Sequence, residues 1–295
     1  MSDAHPPRIR CVDTGQFGAS RRGAAYILDA ARRGLVEAGT PRAGAVLREA
    51  LGDEKPSILF VTHVHLDHAG SAGELTAAFP NLTVVAHPRA IRHLADPTRL
   101  VEGVRSASPE LFPLYGEPRP VPLDRLHAAG DGERFDLGDG VIVEAIHTPG
   151  HAPHHVCFFD RSGGTLFTGD AVGNHGIPVD VPLTVPPRFD LEAALATLGR
   201  IRRLRPTTLA FTHFGIASEP PADLISRYER ALHAWFERIR KLRTTAEPDE
   251  VVRSVLADPE YDVLSPADRS SIEMCVRGAL LSLDEAGGSS RRGSR

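Results

Sequence analysis

Seven side chains in this chain have the type and spacing of metal ligands. His63, His65, Asp67 and His68 crowd three imidazoles and a carboxylate into six positions, and His151, Asp170 and His213 follow at a distance. Each group comes after a short apolar run, namely Ser57 to Thr62, Val141 to Ile146, Thr165 to Phe167 and Thr207 to Phe211. A packed core has no use for histidine at the mouth of strand after strand, so the repetition points to chemistry. Neutral imidazole suits zinc, iron, nickel and copper, whereas carboxylates add negative charge and can bridge two ions. Five histidines and two aspartates exceed what one tetrahedral centre holds. Two ions fit better. Residues at i and i+2 of an extended segment point the same way, so His63 and His65 can grip one ion together with His151. Asp67 and His68 then grip a second with His213, and Asp170 lies between them. Such a pair, about 3.5–4 Å apart, leaves room for a bridging hydroxide and a substrate oxygen, which is the equipment of a hydrolase.

Other histidines have duller explanations. His87, His93, His127 and His233 read as ordinary polar or half-buried side chains. Of the supporting and surface roles open to His154 and His155, the surface one is preferred for both, and His147, at a strand end, is a candidate to hydrogen-bond a ligand.

The elements that must position these groups follow from periodicity. Ile9 to Asp13 and Ala24 to Asp29 read as paired strands around a glycine-bearing turn, with Leu35 to Glu37 a further short strand. Pro41 to Leu51 has helical spacing and ends at Gly52, Gly70 to Phe79 is expected as a helix whose N-terminus faces the site, and Thr83 to Ala86 returns as a strand. Strand, helix, strand in sequence predicts a layered α/β fold. Arg89 to Leu94 reads as helical. From there to Pro122 prolines punctuate the chain, an apparent insertion, and a second proline-rich stretch, Gly173 to Pro187, starts beside Asp170. Both are expected to wall the pocket. Asp190 to Arg203 is a capped helix, and Ala222 to Leu242, Pro248 to Leu256 and Pro266 to Leu283 are helices added to the catalytic body. Glu285 to Arg295, made of Gly, Ser and Arg with little to bury, is expected to be disordered.

Composition sets bounds. With 41% hydrophobic and 24% charged residues the 295-residue chain is of ordinary globular type, which excludes fibrous and disordered classes. Met1 to Arg10 has no signal-peptide core, and no window nears the roughly 18 apolar residues of a membrane helix, so the cytoplasm is expected and no membrane partner. Cys11, Cys157 and Cys275 are too far apart for a zinc knuckle or a disulfide framework. A net charge of −4 disfavours nucleic acid. The arginines of 200–205 and 238–243 alternate with apolar residues as on a solvated helix face. A small-molecule substrate is expected, with the C-terminal helices a pairing surface for a homodimer.

The order of the ligands and their flanking residues resembles the metallo-β-lactamase superfamily. The resemblance rests on His-x-His-x-Asp-His at His63 to His68, Thr-Pro-Gly-His ending at His151, Thr-Gly-Asp ending at Asp170, and Thr-His-Phe-Gly containing His213. It spans Val12 to Gly215 and is specific for fold and metal site but not for substrate. It implies an αββα sandwich over residues 1–220, a helical extension over 221–284 and a tail over 285–295. It implies two divalent ions on the seven residues, zinc by default with iron or manganese compatible. A further role implied for Asp67 is to pass a proton to the leaving group. Lactonases, thioesterases of the glyoxalase II kind, phosphodiesterases and classical β-lactamases share this scaffold, and an ester, lactone or thioester hydrolase is the sharpest reading. Tyr26 and Tyr115 are the candidates for the tyrosine that acyl-homoserine lactonases place near the metals, though neither lies in a matching motif. The alternatives are a mononuclear-iron persulfide dioxygenase, a phosphodiesterase and a non-catalytic metal-binding scaffold.

Overall fold

The computed structural model describes residues 8–175, 181–185 and 189–292. Two six-stranded sheets form its centre. The first runs in sequence order through β1 (Ile9–Asp13), β2 (Ala24–Leu28), β3 (Gly34–Val36), β4 (Ile58–Phe60), β5 (Thr83–Ala86) and β6 (Leu126–Ala128), antiparallel up to β3 and parallel from β3 onward. The second contains β7 (Arg134–Gly138), β8 (Val141–His147), β9 (Val156–Asp160), β10 (Thr165–Phe167), β11 (Thr208–Phe211) and β12 (Gly215–Ile216), with β10 and β11 its parallel pair.

The central strands are buried on both faces, which is why they read as continuous apolar runs instead of alternating. In β4, Ile58 and Phe60 point into the core between the sheets, where Phe60 meets Phe158 at 4.9 Å between ring centroids and Tyr26 meets Phe167 at 5.2 Å. Leu59 points the opposite way, onto Leu47 of α1 (Gly44–Leu51), with α2 (Leu66–Ala69) and α3 (Ala72–Ala78) beside it. Then come α4 (Ile91–Ala95), α5 (Thr98–Ala107) and α6 (Phe112–Tyr115). On the outer face of the second sheet, Leu166, Leu209 and Phe211 pack on Leu198 and Ile201 of α7 (Leu191–Leu204). The layers are helix, sheet, sheet, helix, the expected sandwich.

The C-terminal helices α8 (Pro221–Arg243), α9 (Pro248–Leu256) and α10 (Pro266–Arg292) bury Phe236, Val252 and Val276 in that same outer core. They have no separate core of their own.

Three expectations need correction. The helix expected from Gly70 to Phe79 is present as α3, and a separate short helical piece comes before it, the two parted where the Gly70 N–H leaves the helical ladder and donates to the Gly39 carbonyl at 2.8 Å. The first piece begins at Leu66, so Asp67 and His68 sit on a helical turn, and only His63 to His65 are extended. The proline-rich stretch contains α5 and α6, its prolines falling between and at the starts of helices where no backbone donor is lost. The stretch from Glu285, expected as a disordered tail, continues α10 as helix through Arg292, and residues 293–295 lie outside the described residues.

Candidate metal centre

The ends of β4, β8, β10 and β11 open on one edge of the sandwich, and all seven expected ligands meet there. They group in two sets: His63, His65, His151 and Asp170, and Asp67, His68 and His213. In the first set His65 Nδ1 lies 2.9 Å from His63 Nε2 and 3.1 Å from His151 Nε2. In the second, Asp67 Oδ2 lies 3.5 Å from His213 Nε2 and 3.9 Å from His68 Nε2. Asp170 spans both, with Oδ2 3.2 Å from His151 Nε2 and Oδ1 3.3 Å from His68 Nε2.

The far ring nitrogen of four of these histidines has a partner that fixes the tautomer. Thr62 Oγ1 donates to Glu37 Oε1 at 2.6 Å and so accepts from His63 Nδ1 at 3.1 Å. His68 Nδ1 donates to Glu37 Oε1 at 2.8 Å, His151 Nδ1 to the Leu183 carbonyl at 2.7 Å, and His213 Nδ1 to the Arg22 carbonyl at 2.9 Å. Each leaves an Nε2 lone pair aimed inward. Converging lone pairs and carboxylates repel one another unless a cation lies among them. In agreement, His68 Nε2 and Asp170 Oδ1 are buried without a hydrogen-bond partner. The donor set fits divalent metal ions of the zinc, iron or manganese kind.

Burial tunes the rings. Desolvation and the neighbouring imidazoles push His63 and His65 well below the ordinary histidine value, and burial also lowers His151. These rings stay neutral, as ligands must. His68 goes the other way: burial lowers it, but Asp170, Glu37 and Asp67 together raise it well above the ordinary value. Asp170, despite its burial, is held well below the usual carboxylate range by His68, His151 and His213.

Two supporting residues escape a reading of the sequence. Glu37, buried at the end of β3, accepts from His68, Thr62 and Thr212. The only signal for it is that Leu35 to Glu37, like the ligand strands, ends on a charged residue. His155, read as peripheral, is wholly buried: its Nδ1 donates to Thr148 Oγ1 at 2.8 Å and its Nε2 accepts from the Asp170 backbone at 3.1 Å. It holds the turn that presents Asp170. Gly169 is required in that turn, since its φ is +48° and a Cβ would stand 2.6 Å from His155 Nε2.

The other candidates fall outside the cluster. His147 donates through Nε2 to the Ala129 carbonyl at 2.9 Å and its ring lies tilted against that of His87, bonding none of the seven. His154 lies at the edge, its ring 6.2 Å from that of His65. Tyr26 donates to the Phe211 carbonyl inside the core. Tyr115 is nearer, in contact with Phe17 and beside Leu66 and Leu111 on the Asp67 side. Of the two stretches expected to wall the pocket, the first supplies Leu111 and Tyr115, and the second supplies the Leu183 carbonyl, although its residues 176–180 and 186–188 lie outside the described residues.

A two-sheet sandwich with this cluster at its edge defines a class, and the comparisons agree: the metallo-beta-lactamase superfamily model matches residues 23–213. The chain belongs to that superfamily. It is 31% identical over 169 residues to the metallo-beta-lactamase fold-containing protein ST1585 of Sulfurisphaera tokodaii, covering 56% of this chain and 63% of that protein. It is 32% identical over 244 residues to an atrochrysone carboxyl ACP thioesterase of Aspergillus chevalieri, covering 79% of this chain and 65% of that one. Each alignment thus spans less than two thirds of the relative. Among solved structures, an archaeal metallo-beta-lactamase superfamily protein from Sulfolobus tokodaii shares the fold with a TM-score of 0.73 at 23% identity, covering 93% of this chain and 99% of that one. A family member from Thermus thermophilus does so with a TM-score of 0.66 at 20% identity, covering 96% and 95%. Among the described residues no helix is long and apolar enough to cross a membrane.

Proposed function

We propose that the protein is a dinuclear metal-dependent hydrolase of acyl esters, lactones or thioesters, with thioesters foremost. The observation that carries the reading is the Asp170 carboxylate, whose two oxygens face the two donor sets at 3.2 and 3.3 Å. Divalent cations bound in such sets activate water and polarise an acyl carbonyl. The thioesterase relatives support the choice of bond.

The residues divide the work. His63, His68 and His151 are buried, whereas His65, Asp67 and His213 are part-exposed, so the reacting carbonyl approaches along the open edge that runs from His65 past Asp67 to His213. Gln16 Nε2 donates to Asp67 Oδ2 at 3.1 Å and fixes that carboxylate. Asp67 takes up a proton from the attacking water and returns it to the departing oxygen or sulfur. Phe17, Leu66 and Tyr115 line the same side with apolar surface and keep bulk water from the acyl group.

Elemental analysis of the purified protein, coupled to a screen of thioester, ester, lactone, phosphodiester and β-lactam substrates, tests the reading. The expected result is two divalent ions per chain and turnover of acyl substrates, fastest on thioesters. A single iron with oxygen uptake on a persulfide, or no acyl turnover by fully loaded protein, overturns it.

A further inference from the structure

Two of the ligands, His151 and His213, reach the cluster from loops, one in each donor set, and each is aimed by a backbone carbonyl. Both carbonyls are fastened by the C-terminal helices. Leu183, which accepts from His151 Nδ1, sits in a tight turn closed by Thr184 N donating to the Pro182 carbonyl at 2.9 Å. Thr184, fully buried, is tied to two helices at once. Its hydroxyl donates to the Cys275 carbonyl of α10 at 2.6 Å and accepts from Trp235 Nε1 of α8 at 3.1 Å. Arg22, whose carbonyl accepts from His213 Nδ1, forms a two-armed ion pair through its guanidinium with Asp268 on the first turn of α10. Asp268 is itself held by a reciprocal cap, since Ser265 N and Oγ donate to its carboxylate while its backbone N–H donates to Ser265 Oγ.

We propose that the C-terminal helices are a positioning device for the metal site, with Thr184 and Trp235 orienting His151 in the first donor set and Asp268 orienting His213 in the second. The inference rests on the two-set metal reading above. Outer partners that fix the ring of a ligating histidine change metal affinity by about ten- to a hundredfold. Here the fixing groups act one step further out, Thr184 through its neighbour Leu183 and Asp268 through the Arg22 side chain, and the lower end of that range applies. The two arms share α10 but no residue, so a change in one side chain removes precision from one set only.

The test uses the full chain stripped of metal, with Zn2+ titrated by calorimetry and the histidine ring nitrogens read by 15N NMR at fixed pH. Thr184→Val is expected to weaken one zinc-binding event about tenfold and shift the His151 ring signals while leaving those of His213 in place. Trp235→Phe, which loses the indole N–H together with part of the ring packing, is a second variant of the same arm. Asp268→Asn is expected to do the reverse, moving His213 and the other binding event. Thr184→Ser and Asp268→Glu are expected to restore both readouts. Unchanged ring signals and affinities in all three variants overturn the proposal, and so does equal loss in both sets with a lowered melting temperature. Binding of a single ion by the unaltered chain removes the dinuclear reading, and the ring signals still decide this inference.

Discussion

Glu37 Oε1 lies 2.8 Å from His68 Nδ1, and neither side chain reaches solvent. The same carboxylate receives the hydroxyls of Thr62 and Thr212, so one buried anion links the mouths of β3, β4 and β11 beneath the cluster. It sets the His68 tautomer and with Asp170 and Asp67 draws positive charge, a proton or a cation, onto that ring.

Replacing Glu37 by Gln keeps the shape and removes the charge. An amide oxygen can still accept from His68, Thr62 and Thr212, but without charge, and its N–H2 then confronts the Thr62 backbone N–H that was donating. The expected cost is about 2 kcal/mol of stability from the lost charged hydrogen bonds, and zinc affinity at the second set about ten- to a hundredfold weaker. Thermal unfolding of the metal-free variant and a zinc titration check this. Unchanged affinity would show Glu37 to be an internal strut only.

The gathering of the seven candidate ligands was legible in the sequence because ligand chemistry is a matter of residue type and short spacing, and apolar runs marked the strands that carry them. Glu37, His155 and the Leu183 and Arg22 carbonyls were not legible. Glu37 meets Thr212 only through the packing of two sheets, and a backbone carbonyl has no residue type to read. His155 follows His151 so closely that it reads as its surface companion, yet the turn at Ala152 to His155 carries it inward beneath Asp170. The layered fold was legible from strand and helix periods. The short helix before Gly70 was not, because it is parted from α3 by a hydrogen bond from Gly70 to the Gly39 carbonyl, far off in sequence. The proline-rich stretch hid α5, which buries none of its own residues and whose helical period is carried by half-exposed ones.

Asp170 is the joint between the donor sets, and Asp170→Asn removes the charge while keeping the hydrogen-bonding size. The variant is expected to retain at most one tightly held ion per chain and to lose about a hundredfold or more in turnover. Metal content after dialysis and single-turnover rates are the measurements. Retention of both ions with full turnover would refute the bridging assignment.

Acid should unfold the metal-free protein early. Burial keeps His63, His65, His151 and His155 below the ordinary histidine value, so the unfolded chain takes up protons that the folded chain refuses as pH falls through about 6.5. Stability from these groups is therefore present at neutral pH and lost in acid. His68 opposes them: its raised value gives stability present below about 6.5 and lost as pH rises through that raised value. One ring stands against four, so the melting temperature of the stripped protein is expected to drop between pH 7.5 and 5.5. A flat or rising profile toward acid would mean that His68 dominates.

Phe17 is held with φ at +57°, a left-handed conformation unfavourable for a residue with a side chain, between Gly15 at +62° and Gly18 at +74°. Its ring meets Tyr115 edge-on at 4.9 Å while Gln16, one residue earlier, anchors the loop to Asp67. If this strained turn exists to set an apolar wall for the acyl group, Phe17→Ala should raise KM about five- to tenfold with less effect on kcat, the loss expected of a side chain that binds ground and transition states alike. Phe17→Gly should lose the same contact yet fold more stably than Phe17→Ala by about 1 kcal/mol, because glycine accepts the left-handed backbone. Kinetics on thioesters of increasing acyl length, with melting curves of the two variants, separate the effects. A fall in kcat at constant KM would move Phe17 from the wall to the chemistry, by way of Gln16 and Asp67.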